Sequence, residues 1–104
     1  MTRFAPPVSS FEEIALRLRQ KADGLRAFGI EAITVFGSFA TGTFDADSDV
    51  DLVVQPSPPT FRGLLDLEDF LESCLMRRVD VLTEGALKPA LAEEISRIGR
   101  KIDL

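Results

Sequence analysis

The sequence predicts a small α/β (α+β) domain, a mixed β-sheet with helices packed on it. Three observations predict that class. Apolar residues recur at helical spacing in three segments, short β-branched runs stand between them, and 104 residues at 45% hydrophobic content suffice for one core and no second lobe. The expected order is helix, strand, strand, helix, strand, helix, in a single domain over residues 1–104.

Residues 1–8 read as an extended lead-in containing Pro6 and Pro7. Ser9 and Ser10 are good N-caps, and Glu12 or Glu13 three positions later completes a capping box. Phe11, Ile14, Leu18, Leu25 and Phe28 then form one apolar stripe that Gly29 can end, so a first helix is expected over about residues 10–28. Residues 30–36 read as a strand, which Gly37 and Ser38 break; a short helix over residues 38–42 and a polar loop from Thr43 to Ser48 follow. Residues 49–54 form a second strand, ended by Pro56, Pro58 and Pro59. Leu64, Leu67, Leu71, Cys74 and Leu75 mark a helix over residues 60–76, with Arg77 and Arg78 at the favourable end of its dipole. Val79 to Leu82 is a third strand, and Leu87, Leu91, Ile95 and Ile98 are the stripe of a last helix that starts near Pro89.

Composition narrows the chemistry. A formal charge of −5 disfavours a phosphate backbone, so no direct nucleic-acid partner is expected. The absence of histidine removes Ser-His-Asp and Cys-His catalysis and imidazole zinc sites. Cys74, alone among apolar neighbours, reads as a core thiol and not a nucleophile. No apolar run approaches the roughly 20 residues of a membrane span, and the N-terminus lacks a signal-peptide pattern. A soluble cytoplasmic protein is expected. The hydrophobic share is generous for so small an interior, which points to surface meant for a partner or an oligomer.

The informative stretch runs from Gly37 to Leu52. On a strand, residues two apart share a face, so Asp49 and Asp51 project together while Val50, Leu52 and Val54 enter the core. Two carboxylates so close repel unless a cation lies between them, and hard oxygen donors suit Mg²⁺ or Mn²⁺. Gly37 permits a sharp turn, and backbone N–H groups from Ser38 onward can face a phosphate. Asp80, a lone acid in a short apolar strand, can join the pair if its strand lies beside residues 49–54, as a ligand or as the base for an attacking hydroxyl. Asp-x-Asp alone is a weak signal, and Asp45 and Asp47 read as loop solvation. Gly-Ser, ten residues, then Asp-x-Asp, with strands at both ends and a later strand acid, is far more specific.

That combination resembles the signature of the polymerase-β-like nucleotidyltransferase superfamily. The small size is similar to its minimal (MNT-type) branch, whose members pair with HEPN-domain proteins in toxin–antitoxin modules. The resemblance implies that Gly37 and Ser38 bind the triphosphate and that Asp49, Asp51 and Asp80 are the catalytic acids and metal ligands. It implies transfer of a nucleoside monophosphate, AMP from ATP, to a hydroxyl, with Mg²⁺ or Mn²⁺ as cofactor and a HEPN toxin as partner. Thr41 stands where many such proteins carry Arg. Two rivals are a binding module that neutralises a partner without catalysis, which Thr41 and the apolar surplus favour, and modification of a small molecule, which needs more chain for an acceptor pocket.

Overall fold

The capping residues start the first helix as their chemistry dictates. Ser10 Oγ accepts the Glu13 N–H at 3.0 Å, while the Glu13 carboxylate accepts from the Ser9 N–H at 3.0 Å and the Ser9 hydroxyl at 2.8 Å. These bonds from Ser9 hold the Glu13 carboxyl below the ordinary carboxylate range. The structure, a computed structural model, describes residues 6–104, so the part of the lead-in before Pro6 lies outside the described residues. Val8 is fully buried and donates its N–H to the Leu75 carbonyl at 3.0 Å.

Helix α1 (Phe11–Gln20) buries Ile14, Ala15 and Leu18. The expected single helix to residue 28 is corrected here. Lys21, at φ −109° and ψ 21°, leaves the helical region, and α2 (Ala22–Ala27) begins anew. The break lets the second segment seat against helix α4 (Phe61–Leu75): the Phe28 and Phe70 rings lie 5.5 Å apart, and a Cβ at Gly24 would come within 2.6 Å of Phe70 Cζ. Local periodicity cannot report such a break, because residues 18 and 25 keep the same facing either way. Helix α4 is capped by Thr60, whose hydroxyl accepts the Gly63 N–H at 2.9 Å, and it buries Leu67, Leu71 and Leu75. Cys74 is half-buried, and burial pushes its thiol up, which makes it a packed thiol of low reactivity.

The sheet is mixed, as expected, but has four strands in the order β3-β2-β1-β4. Strands β1 (Ala32–Phe36) and β2 (Val50–Gln55) run antiparallel, and β3 (Val79–Thr83) lies parallel to β2. Strand β4 (Arg100–Asp103) is not among the expected elements; it pairs antiparallel with β1 and buries only Ile102. One face of the sheet, with Ile33, Val35, Leu52, Val54 and Val81, belongs to the same buried cluster as α1 and α4. Helix α5 (Pro89–Ile98) follows a 3₁₀ turn over Glu84–Ala86 and keeps the predicted Pro89 start, yet none of its residues is fully buried. No helix among the described residues is long and apolar enough to cross a membrane.

Candidate active site

The positions of the acids follow from register. Asp51 pairs with Phe36 across the antiparallel β1–β2 ladder and with Asp80 across the parallel β2–β3 ladder. Asp80 is therefore beside Asp51, which meets the condition under which the sequence let it join the pair. Alternation does the rest. Val50, Leu52 and Val79 are buried on the core face, leaving Asp51 half-buried and Asp80 exposed on the other. Asp49, one residue before β2, is exposed.

Gly37 follows Phe36 at the end of β1 and is pressed against Asp51. A Cβ on Gly37 would lie 3.3 Å from Asp51 Cγ and closer still to Asp51 Oδ2. Its φ of 70° with ψ −150° is a backbone region open almost only to glycine. Both constraints demand glycine here. The one-turn helix α3 (Ser38–Thr41) springs from this turn and ends at Gly42, at φ 80°. The Ala40 and Thr41 N–H groups bond to the Gly37 carbonyl at 3.1 and 3.3 Å, and the Ser38 and Phe39 N–H groups belong to the first turn, which has no intrahelical acceptor. The Thr41 hydroxyl is occupied by Thr43 Oγ1 at 2.9 Å.

Between α3 and β2 the loop is short and polar. Asp45 Oδ1 accepts from the Asp47 N–H at 2.9 Å, and Ser48 Oγ accepts from the Asp45 N–H at 2.8 Å. Asp45 thus shapes the loop, while Asp47 is an exposed surface charge. Sequence reasoning placed Arg77 at the end of α4 as a dipole partner. The structure instead turns its guanidinium onto this loop. No local pattern marks that role, because the loop and Arg77 meet only in the fold.

Electrostatically the centre of the site is Asp51. Burial pushes its carboxyl above the ordinary range, and the charges of Asp80 and then Asp49 push it further. The donors are all hard carboxylate oxygens, and like charges repel at one spot, which is the chemistry a divalent cation relieves. Among the described residues no three such side chains already converge on one cation position. Asp49 and Asp80 are exposed, so neither carboxylate is packed into a fixed orientation.

A stability consequence follows from the sign of that shift. An acid whose folded-state pKa is raised stabilises the fold below its unfolded value and loses that contribution as pH rises through the raised value. At neutral pH, without metal, ionised Asp51 therefore costs stability, and Asp51→Asn is expected to melt higher than wild type. The difference should shrink as pH falls towards the ordinary aspartate range. Melting curves of both proteins in chelator, from neutral to acid pH, check this; a mutant that melts lower at neutral pH contradicts it.

Comparison with known proteins gives the family and agrees with the fold. Residues 12–102 match the family model of the nucleotidyltransferase domain. Over 90 residues the chain is 37% identical to the protein adenylyltransferase MntA of Thermococcus cleftensis, a match covering 85% of this chain and 91% of that protein. It is 31% identical to a solved structure assigned to a minimal nucleotidyltransferase, with a TM-score of 0.74 over 88% of this chain and 95% of that one. It also shares the fold of one chain in a complex of a tri-AMPylated Shewanella oneidensis HEPN toxin with an MNT antitoxin, at 19% identity and a TM-score of 0.58 over 85% of this chain and 70% of that one.

Proposed function

Because this chain belongs to the nucleotidyltransferase domain family, we propose that it transfers AMP from ATP to a hydroxyl of a partner protein, as the antitoxin of a HEPN/MNT pair. The observation that carries this reading is the contact between the Gly37 turn and Asp51, with Asp80 paired beside it. It sets a glycine turn with free backbone N–H groups and neighbouring carboxylates against each other, the two parts nucleotidyl transfer needs. In this reading Gly37 and Ser38 hold the triphosphate, Asp49, Asp51 and Asp80 hold Mg²⁺ or Mn²⁺, and residues 1–104 form one minimal domain. The metal would neutralise the triphosphate and lower the pKa of the attacking hydroxyl.

The chain's own residues supply the rest. Backbone N–H groups at Ser38 and Phe39 can donate to phosphate oxygens, and the close packing of Gly37 on Asp51 keeps phosphate and acids at fixed separation. The acceptor oxygen forms a new bond to the α-phosphorus as the bond to pyrophosphate breaks. Its proton passes to a carboxylate, a role this reading gives to Asp80, which is exposed beside Asp51.

A protein acceptor suits the surface. The chain has no tyrosine of its own to modify. Leu16, Phe61 and Leu65 are exposed, at 56%, 74% and 41%, and leave apolar surface that a partner could cover. The protein adenylyltransferase among its relatives supports the transfer role, and the fold shared with a chain of a complex of a tri-AMPylated HEPN toxin and an MNT antitoxin is consistent with such a partner.

The test is transfer of label from α-labelled and γ-labelled ATP to a HEPN partner, with wild type and Asp80→Asn. Label from the α position should reach the partner, fall by about 10²-fold or more with the variant, and be absent from the γ position. Label from the γ position would mean phosphotransfer. No label from either, with a tight complex intact, would leave the partner-neutralising role by binding alone.

A further inference from the structure

We propose that Arg77 is a positioning residue, a clamp that holds the loop before Asp49 against the Gly37 turn and so sets the separation of carboxylates and triphosphate. The proposal rests on the reading of that site given above. Arg77 Nη1 faces three backbone carbonyls of one loop, Asp45 at 3.3 Å, Ala46 at 3.0 Å and Ser48 at 3.1 Å. One nitrogen carries only two hydrogens, so at least one of these bonds is shared. Nε donates to the Val8 carbonyl at 2.6 Å, which ties the same side chain to the segment before α1. The guanidinium carbon also lies 5.1 Å from the ring centroid of Phe39, the buried residue of α3.

These contacts close a circuit. Phe39 sits in the helical turn that Gly37 begins, and Phe44, at the start of the loop, stacks on Phe39 with centroids 4.3 Å apart and planes 6° from parallel. The loop is thus held at its first half by Phe44 on Phe39 and at its second half by Arg77. The Ser48 carbonyl that Arg77 binds belongs to the peptide bond leading into Asp49. The loop carries Asp45 and Asp47 and leads to Asp49 and Asp51, so self-repulsion would open it. A cation spread over its carbonyls opposes that. Lysine could not replace it, because a point charge on a flexible stem lacks the planar fork needed to bind the loop and Val8 together.

Groups that hold metal ligands in place tune metal affinity and rate. The experiment compares wild type, Arg77→Lys and Arg77→Met as full chains. It measures Mn²⁺ affinity by electron paramagnetic resonance with α,β-methylene-ATP present, kcat and KM for AMP transfer to the HEPN partner, and hydrogen exchange. Both variants should bind Mn²⁺ about 10-fold more weakly. Transfer should lose about 10² in kcat with KM for the partner unchanged, and exchange should quicken at residues 43–49 and not across the sheet. If Arg77→Met does not fold, Arg77→Lys carries the test. Wild-type Mn²⁺ affinity and kcat in the folded variants would overturn the proposal, as would exchange quickened evenly over the whole sheet with losses that match the unfolded fraction. If the wild-type protein transfers no AMP while Mn²⁺ affinity still falls in Arg77→Lys, the clamp stands and the transfer reading fails. A wild-type protein that binds no Mn²⁺ overturns both.

Discussion

Replacing Asp51 by Asn, alone or together with Asp49→Asn, is expected to lower nucleotidyl transfer by about a thousandfold or more while leaving the chain folded. Charge stabilisation by a bound metal is worth several kcal/mol, and each ~1.4 kcal/mol is about tenfold in rate. Asp51 is the most enclosed of the three acids and lies in register with Asp80, so no neighbour can take over its position. The same change removes like-charge repulsion, so lost activity and raised metal-free stability should appear in one variant. That opposition is diagnostic, because a variant inactive through misfolding would melt lower. A second readout is the melting shift on adding Mg²⁺ with ATP, which a ligand bound only to the folded state must produce and which the double variant should lose. A double variant that retains both the shift and transfer would place the ligands elsewhere.

Gly37→Ala should be nearly as damaging, for a steric reason. The backbone conformation at φ 70° and ψ −150° costs a residue with a Cβ about 1–3 kcal/mol. The new methyl would also overlap the Asp51 carboxylate, so the turn or the acid must move. A displacement of about 1 Å near reacting groups can cost about 10² in rate. Gly42→Ala is the control, because Gly42 has φ 80° but nothing within 4 Å of where its Cβ would stand. Both variants should lose stability, whereas only Gly37→Ala should lose most of its transfer. Urea unfolding and the α-label assay separate the two terms. Equal loss of activity in both would mean that backbone strain, and not contact with Asp51, makes glycine necessary at Gly37.

Both predictions draw on residues that were legible before any coordinates. Gly37, Ser38, Asp49 and Asp51 lie within one short stretch, where a strand, a turn and a second strand follow from local spacing. The capping serines, the Gly29 stop and the Pro89 start were equally local, since each acts on hydrogen bonds within a turn or two of itself. Asp80 was legible as a candidate from its place as a lone acid in a short apolar strand, on condition that the strand lay beside residues 49–54, and the family resemblance implied the same role.

By itself, then, the sequence determined the fold class, the helices bearing Leu18 and Leu71, the central strands and the contents of the Gly37–Asp51 segment, because periodicity and turn chemistry are short-range. Only the tertiary structure decided the rest. The β2–β3 register brought Asp80 beside Asp51, the pairing of β1 with β4 made a strand from charged residues around Ile102, and the seating against Phe70 accompanied a break at Lys21. The guanidinium of Arg77 reached a loop some thirty residues earlier in the chain (31 residues from Ala46) for the same reason. Each of these depends on a contact between segments distant in sequence, and the free energy of such a contact exists only once the chain has closed the loop between them.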